Sequence, residues 1–151
     1  MELPKGFSPM FALIVLVGVL IGVGSFTFFY AEGDSYFTGS PESCNNCHVM
    51  NDYYDSWLKS SHTAVAGCSD CHLPEQFPIN YLSKADNGFR HAWAFTFQTY
   101  EGRLEMIPRN KRILQTSCID CHGDFVGHTL DDESGPSCVQ CHADVGHGPP
   151  R

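Results

Sequence analysis

The chain has 151 residues, room for about one domain. Seventeen acidic residues against nine basic ones give a formal net charge of −8, which excludes a nucleic-acid binder, because that class needs a basic footprint. Eight cysteines in so short a chain point instead to a cysteine-based framework.

Residues Phe11 to Tyr30 (FALIVLVGVLIGVGSFTFFY) form the only long apolar run. They hold no charge, and a helix of that length rises ~30 Å, the thickness of a bilayer core. A cleaved signal peptide is the competing reading. Against it stand the length of the run, the single preceding cation Lys5, and the lack of a small-x-small site before Ala31. Phe26, Phe28, Phe29 and Tyr30 resemble an interfacial aromatic belt. We therefore expect an uncleaved anchor over residues 1–35 and a second domain over 36–151. Lys5 before the run and Glu32 and Asp34 after it agree with the positive-inside rule.

Beyond the anchor all eight cysteines fall into four copies of one pattern: Cys44-Asn45-Asn46-Cys47-His48, Cys68-Ser69-Asp70-Cys71-His72, Cys118-Ile119-Asp120-Cys121-His122 and Cys138-Val139-Gln140-Cys141-His142. Cys-x-x-Cys-His is the attachment signature of c-type haem. Two thiols three positions apart on a tight turn reach the two vinyl groups of one porphyrin, and the next residue sets an imidazole beneath the iron. Disulfides or zinc ribbons would account for paired cysteines, but neither requires a histidine after every second one. Four covalently bound haems c follow. In bacteria this attachment happens outside the cytoplasm, so the haem domain is expected in the periplasm, held at the inner (cytoplasmic) membrane by a single pass. The side chains of this part are too few and too polar for an ordinary core. Porphyrins would supply much of the interior, giving a mainly α fold with much irregular structure.

The first motif is followed by a short amphipathic stretch, Asp52 to Ser61. The second and third motifs are separated by the insert Leu73–Ser117, with a helical pattern from about Tyr81 to Tyr100. There Phe89, Trp93, Phe97 and Tyr100 recur as an aromatic stripe, expected to pack on haem or rest near the membrane surface. Pro74 and Pro78 stop any helix upstream, and Pro108 ends the region downstream. Arg103, Arg109, Lys111 and Arg112 make a basic cluster, readable as a solvated face, as contacts to haem propionates or as a docking patch.

Four irons have eight axial positions, and the chain has eight histidines. His48, His72, His122 and His142 belong to the motifs; His62, His91, His128 and His147 do not. His62 and His147 are the leading distal ligands, and His128 is a further candidate, with an exposed loop residue as the alternative. In the first motif Met50 follows His48 by two residues, close enough to compete with it for iron. A thioether ligand would raise that haem's potential.

Taken together, the anchor, the four motifs, the His48-Val49-Met50 step and the closing Cys141-His142-Ala143-Asp144-Val145-Gly146-His147 resemble the NapC/NrfH family of small tetrahaem quinol dehydrogenases. Tyr54-Asp55-Ser56-Trp57-Leu58-Lys59-Ser60-Ser61-His62 and Lys84-Ala85-Asp86-Asn87-Gly88-Phe89-Arg90-His91 carry the same resemblance, which points to the small subunit of cytochrome c nitrite reductase. The loop Gly123–Ser137 between the last two motifs is shorter than in the wider relatives.

The resemblance implies Met50 as axial ligand of the first haem, with His48 on the iron only if Met50 is not. It implies a quinol site at Lys84 and His91, where some relatives carry Asp in place of His91. The spacing agrees: Lys84, Gly88 and His91 share one helical face. It further implies His62 and His147 as distal ligands of the fourth and third haems, leaving the second to His128 or to a partner side chain. The implied activity is oxidation of menaquinol from the membrane quinol pool, with electrons passed to a periplasmic multihaem nitrite reductase catalytic subunit that forms ammonia. Donation to a different periplasmic reductase is the first alternative, and a plain anchored electron-transfer cytochrome without a quinol site is the second.

Overall fold

The computed structural model describes residues 8–100, 104–127 and 136–148. It divides into two compact units, Met1–Thr38 and Gly39–Arg151. Among the described residues every regular element is helical, as the composition and motif spacing led us to expect.

The first unit is built on α1, Pro9–Tyr30. Proline at the first helical position has its φ already set for a helix and loses no needed donor. At ~1.5 Å per residue α1 is ~33 Å long, long and apolar enough to cross a membrane. None of its side chains is buried against the rest of the chain, and the helix is apolar all round, as membrane-spanning helices are. Phe26 stacks on Tyr30 at its end, with ring centres 5.6 Å apart. The helix stops where Glu32 takes a left-handed φ of 50°, and a 3₁₀ turn follows over Gly33–Phe37.

The second unit is a string of short helices. These are α2 (Pro41–Cys44), a 3₁₀ turn (His48–Met50), α3 (Asn51–Trp57), α4 (Cys68–His72), α5 (Ile79–Phe97), α6 (Pro108–Val126) and α7 (Cys138–Cys141). Helix α4 packs on α6 and on α2. Helix α5 begins just after Pro78 and ends in a Schellman-type cap. Gln98 stands at φ 52°, Thr99 N–H donates to the Ala94 carbonyl at 3.0 Å and Gln98 N–H to that of Phe95 at 3.4 Å. Glutamine replaces the usual glycine there, and its side-chain amide also donates to the Phe95 carbonyl, at 2.6 Å.

Pro108 does more than end the insert. It is the first residue of the 19-residue helix α6, which carries the third motif at its centre. The aromatic stripe forms on α5, with Phe89 and Trp93 ring centres 5.9 Å apart and those of Trp93 and Phe97 4.4 Å apart. These rings stack on one another and remain more than half exposed. Among the described residues no apolar side chain is buried by its protein neighbours, and the one buried residue is Ser83. The polypeptide of the second unit is therefore a scaffold around something other than its own side chains.

Candidate haem ligands and the residues around the first motif

The i, i+3 spacing of each cysteine pair becomes a single helical turn in three of the four motifs. The second pair lies in α4, the third within α6 and the fourth in α7. Side chains three apart on a helix share a face, so both thiols can address one porphyrin edge. No disulfide joins any of the eight cysteines. The thiols of successive motifs lie close together. Cys44 and Cys68 hydrogen-bond to each other, which pulls Cys44 down to about 7 and pushes Cys68 upward. Burial, then the nearby charge of Cys138, pushes the Cys118 thiol up to about 11. The four attachment points thus form one continuous track.

The first motif differs. Cys44 closes α2, but Cys47 lies outside it, and His48–Met50 turn separately as a 3₁₀ segment. Met50 N–H donates to the Cys47 carbonyl at 2.8 Å, which tucks Met50 back toward the motif. Met50 is half-buried, whereas His48 is exposed, its ring resting 6.4 Å from that of Phe95.

The free histidines pair with motif histidines. His147 and His72 lie parallel, ring centres 6.1 Å apart and planes within 8°. His62 and His122 are also 6.1 Å apart, with planes at 73°. Two imidazoles on one metal, each bonded at about 2.0–2.1 Å, set their ring centres about 6.3 Å apart. Both pairs therefore have the separation that one iron between two imidazoles requires. Burial, then the charge of His147, lowers His72 to about 4, which keeps it in the neutral form that binds metal. His62 Nδ1 lies 2.9 Å from the Val145 carbonyl oxygen, so Nδ1–H donates there and Nε2 is left for iron. Tyr53 meets the edge of His147 at 5.2 Å.

The resemblance implies His62 for the fourth haem and His147 for the third; in the structure the motif imidazoles beside them are His122 of the third motif and His72 of the second, and His62 also bonds to Val145 just past the fourth motif. Contacts spanning 60 to 75 residues set these pairs, and no local spacing encodes them. The candidate His128 lies outside the described residues, as does Arg103.

Lys84 is close enough to the first motif for its ammonium to stabilise the Cys44 thiolate. His91 lies two turns along α5; partial desolvation lowers its pKa, although its surface remains open to solvent. Sequence reading missed Glu42, two residues before Cys44. Its carboxylate accepts from the Tyr54 hydroxyl at 3.3 Å, and its charge acts on Cys44. A carboxylate just ahead of the first motif, with a tyrosine downstream, was the available signal. The expected basic cluster also changes character, because Arg109 turns inward to Asp86 at 2.8 Å.

The donor set fits c-type haem. Thiol pairs sit on single turns, imidazole pairs stand one iron apart, and the polypeptide supplies almost no interior of its own. Comparison with known proteins agrees. Residues 7–115 match the model of the NapC/NirT cytochrome c family, N-terminal region. Cytochrome c-type protein NrfH of Wolinella succinogenes is 33% identical, across 94% of this chain and 88% of the relative. The cytochrome c nitrite reductase subunit NrfH of Nitratidesulfovibrio vulgaris is 27% identical across 89% and 82%. The tetraheme c-type cytochrome CymA of Shewanella oneidensis is 27% identical across 98% and 95%. The solved structure of a cytochrome c nitrite reductase NrfHA complex bound to the inhibitor HQNO superposes with a TM-score of 0.66 at 25% identity, over 89% of this chain and 90% of that one. The chain belongs to the NapC/NirT family of c-type cytochromes, as a NrfH-like member built to carry haem c.

Proposed function

We propose that this chain is the membrane-anchored tetrahaem quinol dehydrogenase that supplies a periplasmic multihaem nitrite reductase. The observation that carries the reading is the first motif. Its methionine is drawn in, its histidine is left out, and the Lys84 ammonium reaches it from α5. In this reading α1 anchors the chain in the inner membrane, and the unit from Gly39 onward faces the periplasm.

Eight thiols would hold four haems, with Met50 as ligand of the first, His72 and His147 of the second, His122 and His62 of the third, and His142 of the fourth. The second side of the fourth is left to His128 or to a group of the partner subunit. When bound, the haems supply one-electron carriers in a row, which is what a two-electron donor such as menaquinol needs to be emptied in successive steps. The remaining work falls to side chains. Lys84 orients a quinol oxygen by a charged hydrogen bond. Gly88, on the same face, lets a flat ring approach the backbone. His91, whose depressed pKa keeps it neutral near pH 7, accepts a proton and releases it to solvent.

Replacing Met50 by Leu tests the reading. Total haem should stay near four per chain while quinol oxidation is lost; retained activity would remove Met50 from the site. Purification in mild detergent decides the partner. A multihaem protein with nitrite-reducing activity supports the proposal, and a molybdenum enzyme in its place would support the alternative donor role.

A further inference from the structure

One polar network outside the haem ligands ties α5 to the start of α6. Asp86 Oδ2 accepts from two guanidiniums, that of Arg90 one turn along α5 at 2.9 Å and that of Arg109 on α6 at 2.8 Å. The next residue repeats the link. Asn87 Oδ1 accepts from Arg109 Nη2 at 3.1 Å and from Asn110 Nδ2 at 2.9 Å. Arg109 is itself steadied by the Asn110 side-chain oxygen, 3.3 Å from Nε and 3.2 Å from Nη2. The two guanidiniums hold the Asp86 carboxyl below its usual range, the Arg90 hydrogen bond contributing most, so the anion at the centre of the network is permanent.

The placement of these links matters as much as their number. A single contact between two helices leaves each free to roll about its axis. Contacts from two successive residues, which leave α5 in directions ~100° apart, block that roll. Asp86 points ~160° away from Lys84 around the helix, whereas Asn87 lies only ~60° from Lys84 and ~40° from His91, so the network grips the far side of α5 and also the flank of the quinol-facing residues. At its other end it holds α6, the helix that bears Cys118, Cys121 and His122.

We infer that Asp86, with Arg109, is a positioning residue for quinol binding: it fixes the rotation of α5 against α6 and so holds Lys84 and His91 in register with the haem track. The inference rests on the quinol site proposed above.

The test uses the full chain with its four haems in detergent, oxidising a water-soluble menaquinol analogue. Asp86→Asn keeps the side chain's shape and removes the charge that the two arginines share. KM for the analogue and the dissociation constant for HQNO should both rise about tenfold, equivalent to about 1.4 kcal/mol of binding. The turnover number should change little, and the absorption spectrum and haem content should stay as in the parent. Asp86→Glu, which restores the charge on a longer arm, should recover most of the affinity. Arg109→Gln cuts the network from the α6 side and should raise KM alike; it serves if Asp86→Asn does not accumulate. Lys84→Ala is the control. If it weakens HQNO binding while the Asp86 and Arg109 variants leave KM and HQNO affinity at parent values, losing only heat stability or haem content, the positioning role is overturned. If Lys84→Ala leaves HQNO binding unchanged, the quinol site is misplaced and the inference falls with it.

Discussion

The pairing of His147 with His72 and of His62 with His122 makes a prediction that can be counted. The ring centres in both pairs lie 6.1 Å apart, within a few tenths of an ångström of the ~6.3 Å set by two metal–imidazole bonds. If each pair straddles one iron, His147→Ala opens the second haem alone, and one haem in four goes from low to high spin. The double variants then separate this pairing from every other. His147→Ala with His72→Ala touches one iron twice, so the high-spin share should rise over the parent by no more than about one haem in four. His147→Ala with His122→Ala touches two irons and should raise it over the parent by about two haems in four. The His62 series should give the reverse pattern, with His122 the silent partner and His72 the additive one. Low-temperature electron paramagnetic resonance and the high-spin absorption band, each normalised to haem per chain, provide the count. Additivity in the pair expected to be silent, with silence in the other, would show that the imidazoles serve different irons and would return His147 to the third haem. Independent sites add and shared sites do not, so the logic holds whatever the size of each single effect.

Two further outcomes follow from individual contacts. Desolvation lowers the His91 pKa, so the folded chain releases this proton at a lower pH than the unfolded chain, whose value is near ~6.5. The unfolded state therefore binds more protons between the two values. Stability from this site rises with pH across that window and is lost as pH falls below ~6.5. Quinol oxidation should show an acid limb centred below ~6.5, and His91→Asn should remove it; the same limb in the variant would assign proton acceptance elsewhere. Trp57 Nε1–H donates to the Ala66 carbonyl at 3.0 Å, closing the loop that carries His62. Trp57→Phe keeps an aromatic side chain but removes the N–H donor, and should cost about 1 kcal/mol in urea unfolding of the haem-loaded chain, whereas an unchanged midpoint would show that water replaces the bond at no cost.

Much of the site was legible because covalent haem chemistry writes itself into local spacing. Four Cys-x-x-Cys-His units, an uncharged apolar run long enough to span a bilayer and a methionine two residues after His48 each make sense within a few positions. Helix α5 was legible for the same reason, since Phe89, Trp93 and Phe97 repeat at helical spacing. Helix α6 was not. Pro108 was read as a stop, although proline serves equally well at a first helical position. One face of α6 reads Leu114, Cys118, Cys121 at i, i+4, i+7, so thiols replace the large apolar side chains that usually mark a helical stripe. The histidine pairs and the Asp86–Arg109 link were illegible for a different reason. They join residues 60, 75 and 23 positions apart, and single-sequence reasoning has no handle on which distant partner a donor meets.

The same scarcity of ordinary core explains why the ligand pairs carry so much of the structure. Among the described residues no apolar side chain is buried, so the hydrophobic term that usually drives folding is small for the polypeptide alone. What fixes the second unit is then a set of long-range ties: His62 to Val145, His72 to His147, Gln115 to the backbone of Cys138 at 2.9 Å, and Arg109 to α5. Two of these converge on the segment Val145–His147, which offers its carbonyl to His62 and its imidazole to His72. On the ligand pairing proposed above, that segment would couple the second and third haem sites. Loss of His147 should loosen the Val145 carbonyl as well, weakening the hydrogen bond that orients His62 and raising the third haem's potential while leaving its iron six-coordinate. A shift in the potentials of two haems with a spin change in only one is the signature of that coupling, and a shift confined to the second haem would show that the two sites are independent.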